Sequence, residues 1–325
     1  MKRYLFLFIF IFILSGCKKN KIYDKKNNSI YFGSYPTTLE TNNKQIEKLN
    51  KKINNTPTTS NNYDWISFNY YSNNEKMDYM FYKDIDLNND NINDYRAVYL
   101  TSYRPIQTDY ESSEYSSHQD NNGYFINNTY YFKYEKIKWD ILEEKKGNAL
   151  LISSLVIDSM EYYPSLDESS YEHNGGLGYS NNYELSNIRK WLNEDFYNLA
   201  FNNKEKEIIK LMEIDNMNTD IINDNYKCNN TSDKVTLLSY NDARVKYYNN
   251  DNDRRASASD YAKSLGVFEA PNKSVTYRLR TPSSYSPINA YYIDYDGAIH
   301  GEGVATKGFI VNTDYGVRPV IEIKL

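Results

Sequence analysis

Tyrosine is the feature of this sequence that most restricts the folds open to it. The chain has 325 residues, of which 35 are Tyr, and hydrophobic residues including Tyr make up 40%. A core for a chain of this length must therefore use tyrosine rings as bulk, with their hydroxyl groups reaching polar partners or water. The aromatic content of 16% argues against a disordered chain. We therefore expect a folded protein with buried tyrosines.

The first 17 residues have the parts of a bacterial lipoprotein signal. Lys2 and Arg3 are followed by an apolar stretch, residues 4–14, that is too short to span a bilayer. Leu14-Ser15-Gly16-Cys17 then offers the small side chains that the signal peptidase needs and the thiol that takes the lipid. The sequence predicts a signal peptide over residues 1–16 and lipidation of Cys17; the alternative is a buried N-terminal strand that precedes a cysteine.

This signal predicts where the protein resides. We expect export, with acyl chains such as palmitate on Cys17 anchoring the protein to the bacterial cell membrane or the outer membrane. The membrane is thus one predicted partner. The formal net charge of −5 gives no reason to expect nucleic acid as another.

A short linker and one folded module are predicted after the signal. Residues 17–29 are polar and rich in Lys and Asn, which is typical of a flexible tether. Residues 30–325 form the predicted module, and its first part, 30–135, is rich in strand patterns separated by Asn and Asp. Two successive strands are predicted over 123–134 and 136–143.

Helix signals occupy the middle of this module. Apolar residues of 185–199 recur at helical spacing, Ser239 and Asp242 form a capping box, and Ser259 can begin a further helix. A short strand is predicted over 235–238, and strand patterns return after residue 276. Strands on either side of helices indicate an α+β fold of antiparallel sheets with a helical middle section.

Eleven segments, in order, resemble an uncharacterised family of exported and surface proteins of anaerobic bacteria, a domain of unknown function. They are FGSYP (32–36), YKDIDL (82–87), TSYRP (101–105), FKYEKIKWDIL (132–142), ALLISS (149–154), HNGGLGY (173–179), LSNIRKWLNEDFYNLAF (185–201), DKVTLLSYNDA (233–243), DYAKSLGV (260–267), YRLRTP (277–282) and GVRPVIEI (316–323). The resemblance implies one continuous module from about residue 30 onward.

The end of the chain resembles a second group. A strand such as YRLR (277–280), then hairpins, then GVRP (316–319) before a last strand is similar to C-type-lectin-like folds, which include formylglycine-generating enzymes. This resemblance implies a lectin-like core over residues 136–325. The enzymes of that group work with a pair of cysteines, whereas Cys228 is the only cysteine besides Cys17. The resemblance therefore points to a ligand-binding module. With Cys17 taken by lipid, Cys228 has no partner in the chain, and we expect it to be buried or vestigial rather than a nucleophile.

One local pattern is typical of a calcium loop. Oxygen donors recur at alternate positions, with a backbone carbonyl in the middle of the series: Asp86, Asn88, Asp90, Ile92 and Asp94. Asn91 stands where such loops have glycine, and Ala97 where they have the last glutamate; Asn tolerates a positive φ. The alternative is a plain Asn/Asp turn between two strands. Calcium is the only cofactor that the sequence suggests.

Five large residues are predicted to serve the fold. Trp191 lies on the apolar face of a predicted helix, and two arginines lie on one face of a strand, where they could hold carboxylates in the core. An arginine before a proline could fix the terminal strand. The set is Trp139, Trp191, Arg278, Arg280 and Arg318.

The sequence shows no constellation that identifies a catalyst. A nucleophile-elbow serine and zinc-ligand spacing are both missing from it. We therefore expect no catalytic residues and a membrane-anchored binding or interaction module, with a glycan or a protein as ligand. A carbohydrate-active or degenerate modifying enzyme of the cell envelope is the alternative, and a structural envelope protein is the third.

Overall fold

The computed structural model describes residues 23–24, 29–58, 61–68, 70–72, 75–77, 80–104, 119–163, 171–173, 176–216, 226, 228–284, 286–301, 309–310 and 315–325. The predicted signal peptide, Cys17 and most of the predicted tether lie outside these residues. Within the described part, no helix has both the length and the apolar character to cross a membrane.

Strands predominate over helices in the described residues. The strands are β1 (Tyr23–Asp24), β2 (Ser29–Leu39), β3 (Ile66–Ser67), β4 (Tyr70–Ser72), β5 (Glu75–Met77), β6 (Met80–Ile85), β7 (Tyr95–Leu100), β8 (Thr129–Lys145), β9 (Asn148–Ser153), β10 (Asp158–Met160), β11 (Tyr171–His173), β12 (Gly176–Gly178), β13 (Met212–Ile214), β14 (Thr231–Asp233), β15 (Tyr277–Pro282), β16 (Asn289–Ile293), β17 (Ile299–His300), β18 (Phe309–Ile310), β19 (Tyr315–Val317) and β20 (Val320–Lys324). The α-helices are α1 (Asn43–Lys52), α2 (Asn187–Trp191), α3 (Tyr197–Ala200), α4 (Asn203–Ile208), α5 (Asp251–Arg254) and α6 (Asp260–Ser264). A 3-10 helix, Tyr183–Leu185, and two π-helical turns, Leu192–Phe196 and Asp242–Lys246, complete the helical elements of the described residues.

The larger sheet is built around β8. Its strands run in the order β1-β2-β8-β7-β6-β3, with β9 added beside β8 and β20 beside β9, all antiparallel. Strand β8 is 17 residues long, so its two halves have different neighbours. The predicted break between 134 and 136 is wrong: the stretch contains neither glycine nor proline, and pairing with β2 continues across it.

A second sheet lies in the C-terminal part, with the order β10-β19-β15-β16-β17 and β18 beside β16. Among its pairs, only β15 with β19 is parallel. The prediction of mostly antiparallel sheets with helices between them is therefore confirmed at this coarse level. The predicted strand at 235–238 is reduced to one bridge between Thr236 and Val320.

The core confirms the expectation drawn from tyrosine. Several of the largest fully buried side chains are tyrosines, and the hydroxyls of five of them make hydrogen bonds: Tyr35, Tyr162, Tyr183, Tyr261 and Tyr277. The Tyr162 hydroxyl donates to the carbonyl of Arg280 at 2.6 Å, and the Tyr277 hydroxyl donates to the carbonyl of Arg254 at 2.6 Å. These bonds offset the cost of burying a phenol.

Gly33 shapes the strand that leads into the site. It has φ +68 and lies at a bulge of β2 between Tyr31 and Ser34. A Cβ at this position would stand 2.6 Å from the Phe201 ring. Only glycine combines this conformation with this close approach. The bulge brings β2 against α3, two residues before Tyr35.

The helical middle section contains an unusual turn. Between α2 and α3 the chain forms a five-residue π-helical turn, Leu192–Phe196. Ser186 caps α2 by accepting the N–H of Arg189, and the Asn193 side chain accepts the N–H groups of Lys234 and Val235. Turns of this kind are rare and often occur at functional sites.

Candidate functional site

A cavity of about 670 Å³ lies between the larger sheet and the helical middle section. Strands β2, β3, β6 and β7 line one side, and β10, the π-helical turn and α6 line the other. We call it the central cavity. Its walls include six aromatic rings, namely Tyr35, Phe68, Tyr82, Trp191, Phe196 and Tyr261, and six charged side chains, namely Asp84, Arg96, Arg104, Asp158, Glu194 and Asp195. Its volume is in the usual range for small-molecule sites.

Asp158 is the most unusual group of this cavity. It begins β10 and is only 5% exposed. The Tyr35 hydroxyl donates to its Oδ2 at 2.5 Å, and the backbone N–H of Ser159 donates to its Oδ1 at 2.7 Å. Burial raises the pKa of Asp158 to about 6, although these two bonds and the guanidinium groups of Arg96 and Arg104 act in the opposite direction. Asp158 can therefore change its protonation state near neutral pH.

One wall of the central cavity is a rigid ion pair. Arg96 holds Asp84 through two bonds, Nε to Oδ1 at 2.7 Å and Nη2 to Oδ2 at 2.8 Å. Its Nη1 donates to the Tyr261 hydroxyl at 3.0 Å, and its Cζ lies 4.2 Å from the centroid of the Tyr82 ring. The Tyr134 hydroxyl donates to Asp84 at 2.9 Å. This wall is fixed and electrically balanced before any ligand enters.

Ser159 provides a hydroxyl that no described residue of the protein bonds. The residue is 2% exposed and lines the cavity beside Asp158. Its Oγ is buried and has no hydrogen-bond partner among the described residues. A buried hydroxyl without a partner is costly, so a cavity that contains one favours a ligand able to bond with it.

The π-helical turn forms the opening of the cavity. Glu194 and Asp195 are exposed there, beside the half-buried Trp191. Burial, and next the charge of Glu194, raise the pKa of Asp195. The Trp191 ring stacks on Phe196 with centroids 5.5 Å apart. The opening thus combines two carboxylates with an aromatic face.

Of the five residues predicted to serve the fold, four lie in the protein interior and one lies at the wall of the central cavity. Trp139, Arg278, Arg280 and Arg318 are buried. Arg280 bonds Asp242 at 2.9 Å, so it does hold a carboxylate, and Arg318 donates to the carbonyl of Ser153 at 2.8 Å, close to the terminal strand. Arg278 lies over a tyrosine ring at 4.7 Å. Trp191 packs against the core but also lines the central cavity.

The predicted calcium loop lies apart from the central cavity, between β6 and β7. Its carboxylates accept backbone N–H groups of the loop: Asp86 from Asn88 and Asn91, Asp90 from Ile92, and Asp94 from Leu87. Asn91 has φ 64, the conformation expected where such loops have glycine. These bonds also suit the alternative, a self-supporting Asn/Asp turn, and calcium binding stays a prediction.

One other group of described residues brings potential metal ligands together. Asp294, Asp296 and His300 have ligand atoms within 4.8 Å of one another on the β16–β17 hairpin. Asp294 Oδ1 already accepts the Thr276 hydroxyl at 2.7 Å. Three ligands are one fewer than a structural zinc site uses, so this group would need a fourth ligand from outside it.

Cys228 is buried, as expected, and burial raises the pKa of its thiol. A raised pKa disfavours the reactive thiolate. This environment agrees with a packing role.

The central cavity is not apparent from the amino-acid sequence. Tyr35 and Asp158 are 123 residues apart, and no local spacing relates them. An aspartate directly after the apolar run 149–157 is the one local signal at Asp158, because an acid continuing a buried strand enters the core only where it has a partner.

The comparisons with known proteins give one match. Residues 146–325, more than half of the chain, match the model of a family described as a domain of unknown function (DUF6273). No curated protein and no solved structure match the chain. Asp158, Ser159, the π-helical turn and Tyr261 lie inside the matched range, whereas Tyr35, Tyr82, Asp84 and Arg96 precede it.

Proposed function

The chain belongs to the DUF6273 family, and we propose that it is an exported, lipid-anchored binding protein whose central cavity holds a small, hydroxyl-rich ligand such as a sugar. The observation that carries this proposal is the hydroxyl of Ser159, which is buried without a partner among the described residues and belongs, like Asp158, to the lining of a cavity of about 670 Å³. The Ser159 hydroxyl can donate one hydrogen bond to a ligand hydroxyl, and both this hydroxyl and the Asp158 carboxylate can accept one from it.

The aromatic rings of the cavity support the same ligand class. Sugars have apolar faces of C–H groups and polar edges of hydroxyls. The rings of Tyr82, Trp191 and Tyr261 can cover such a face, while the carboxylates bond the edges. The balanced Arg96–Asp84 pair keeps this wall in place, which lowers the entropic cost of binding.

Cys17 is the proposed point of attachment to the membrane. The support is the order of the signal in the sequence: positive residues, an apolar stretch, then small residues and Cys17. Anchoring would keep the cavity at the surface of the cell membrane or outer membrane, where envelope glycans are abundant.

We also propose a C-type-lectin-like core over residues 136–325. The support is that the two segments carrying the resemblance are neighbours: Tyr277 of β15 pairs with Gly316 of β19 in the second sheet. Calcium at the loop of Asp86 would agree with such a module but is not needed by the central cavity.

A second candidate function is glycoside hydrolysis. A buried carboxyl with a pKa of about 6 is the kind of group that acts as general acid, and Asp195 and Glu194 supply further carboxylates at the same cavity. A structural envelope role would be favoured only if no ligand binds.

The test compares two serines. Ser159→Ala and Ser29→Ala each remove a buried hydroxyl without a described partner, but only Ser159 lines the central cavity. We expect saturation-transfer NMR of the full chain in nanodiscs to detect binding of disaccharides. Ser159→Ala should weaken that binding about three- to tenfold, the value of one neutral hydrogen bond, and Ser29→Ala should not.

Each outcome of this test is informative. Equal binding by both variants, or no binding of any sugar to the wild type, would contradict the proposed site. Release of reducing ends by the wild type, lost in Asp158→Asn, would replace binding by hydrolysis. Thermal unfolding of neither variant should begin below that of the wild type, because each substitution removes a costly buried hydroxyl and breaks no described hydrogen bond.

A further inference from the structure

We infer that the ligand of the central cavity carries a protonated amine, so that an amino sugar is bound in preference to its neutral counterpart. This inference rests on the proposed function and names its substrate class. It follows from the distribution of charge in the cavity and from the buried hydroxyl of Ser159.

The charges of the cavity walls do not cancel. Four carboxylates line the cavity against two guanidinium groups. Arg96 is consumed by its two bonds to Asp84. Arg104 acts on Asp158, whose carboxylate its charge favours. The inner part of the cavity is therefore close to neutral, and the excess negative charge belongs to Glu194 and Asp195 at the opening.

These two carboxylates keep their oxygen atoms available. Among the described residues, neither Glu194 nor Asp195 makes an ion pair or accepts a hydrogen bond through its side chain. The positive charge that acts on Asp195 is that of Lys190, one turn earlier in the chain. The adjacent Glu194 repels Asp195, so a cation bound between them would relieve that repulsion.

An aromatic face completes the site for a cation. Trp191 lines the opening beside the two carboxylates, and its ring is held by stacking on Phe196. An ammonium group near an indole face gains a cation–π attraction in addition to its bonds with carboxylates. The opening thus fits an ammonium group better than a neutral hydroxyl.

The inner end fixes the orientation of the ligand. Ser159 lines this inner end together with Asp158, and its Oγ is buried without a described partner. Hydroxyls of the ligand would bond these two groups, while the amine would lie at Glu194 and Asp195. A ligand with a carboxylate in place of the amine would meet like charge and be rejected.

The test uses three disaccharides with one backbone. Chitosan disaccharide carries free amines, N,N′-diacetylchitobiose carries the same nitrogens capped, and cellobiose carries hydroxyls there. Binding to the full chain in nanodiscs would be measured by calorimetry and saturation-transfer NMR at pH 7 and 0.1 M salt. Glu194→Gln/Asp195→Asn removes the two acids at the opening. Glu207→Gln is the control, since it removes an exposed acid of α4 outside the cavity.

We expect chitosan disaccharide to bind about tenfold more tightly than cellobiose, as a charge-assisted bond would give. The double variant should abolish this preference while still binding cellobiose, and Glu207→Gln should keep it. If cellobiose or N,N′-diacetylchitobiose binds as tightly as chitosan disaccharide or more tightly, the inference of an amine on the ligand is overturned, while the proposed function stands. Failure of all three sugars to bind would overturn both.

Discussion

The protonation of Asp158 should control how the stability of the protein depends on pH. Its carboxyl has a pKa of about 6 in the folded protein, against 3.8 for an unperturbed aspartate. The folded state therefore holds this proton more tightly than the unfolded state. The resulting stabilisation is present in full below about pH 4 and is lost as the pH rises through 6.

The size of the effect follows from the shift. About two pKa units at 1.36 kcal/mol each correspond to about 3 kcal/mol of unfolding free energy lost between pH 4 and pH 7. The substitution Asp158→Asn removes this titration. It also lowers the free energy of unfolding by about 1–3 kcal/mol at every pH. If the new amide oxygen accepts the Tyr35 hydroxyl, the amide NH2 group must face the backbone N–H of Ser159, so two donors meet without an acceptor.

Urea unfolding of the full chain, followed by tryptophan fluorescence at pH 4, 5, 6 and 7, measures both terms. Other acids titrate in the same range, so the informative quantity is the difference between wild type and Asp158→Asn at each pH. The wild type should be the more stable protein at pH 4, and its advantage should shrink by about 3 kcal/mol by pH 7. A difference that stays constant from pH 4 to pH 7 would refute a raised pKa for Asp158.

Three further predictions concern the backbone, the ion pair and the anchor. Gly33→Ala should lower stability by about 2 kcal/mol or more, because a Cβ would meet an aromatic ring, whereas Gly147→Ala, with a similar φ of +76 and open space, should cost about 1 kcal/mol; equal losses in chemical unfolding would contradict the crowding. Arg96→Met should cost about 2–3 kcal/mol, because the half-buried carboxylate of Asp84 would keep only the Tyr134 hydroxyl as a described partner, and the double variant Arg96→Met/Asp84→Leu should recover part of it; an additive double loss would argue against the pair. Cys17→Ser should move the protein from the membrane fraction to the soluble fraction, and retention in membranes would rule out lipidation as the anchor.

Local signals predicted the parts of the fold that local contacts determine. The capping box of Ser239 and Asp242 forms as expected, with bonds of 2.9 and 3.0 Å, and Ser259 caps α6. The hairpin of β6 and β7 also forms where two strand patterns are separated by a loop rich in Asn and Asp. Each of these depends on residues a few positions apart, which a sequence displays directly.

The central cavity could not be predicted in this way. Its essential pair, Tyr35 and Asp158, is joined by long-range pairing of β2 and by the second sheet. The length of β8 was also missed, because Glu135 looks like a break until β2 is seen to pair across it. A polar residue does not mark the end of a strand when neighbouring strands on both sides bond its backbone N–H and C=O groups.

The position of β20 has a consequence for how the protein matures. This strand, at residues 320–324, pairs with β9 in the larger sheet, whose other members come from the first half of the described chain. A polypeptide that crosses a membrane N-terminus first delivers β20 after every other described strand. Under the export proposed above, the larger sheet would keep an open edge along β9 throughout translocation, and its assembly would wait for the final stretch to emerge. Such a chain would depend on protection from aggregation during export, and removal of residues 320–324 should leave it permanently in that exposed condition.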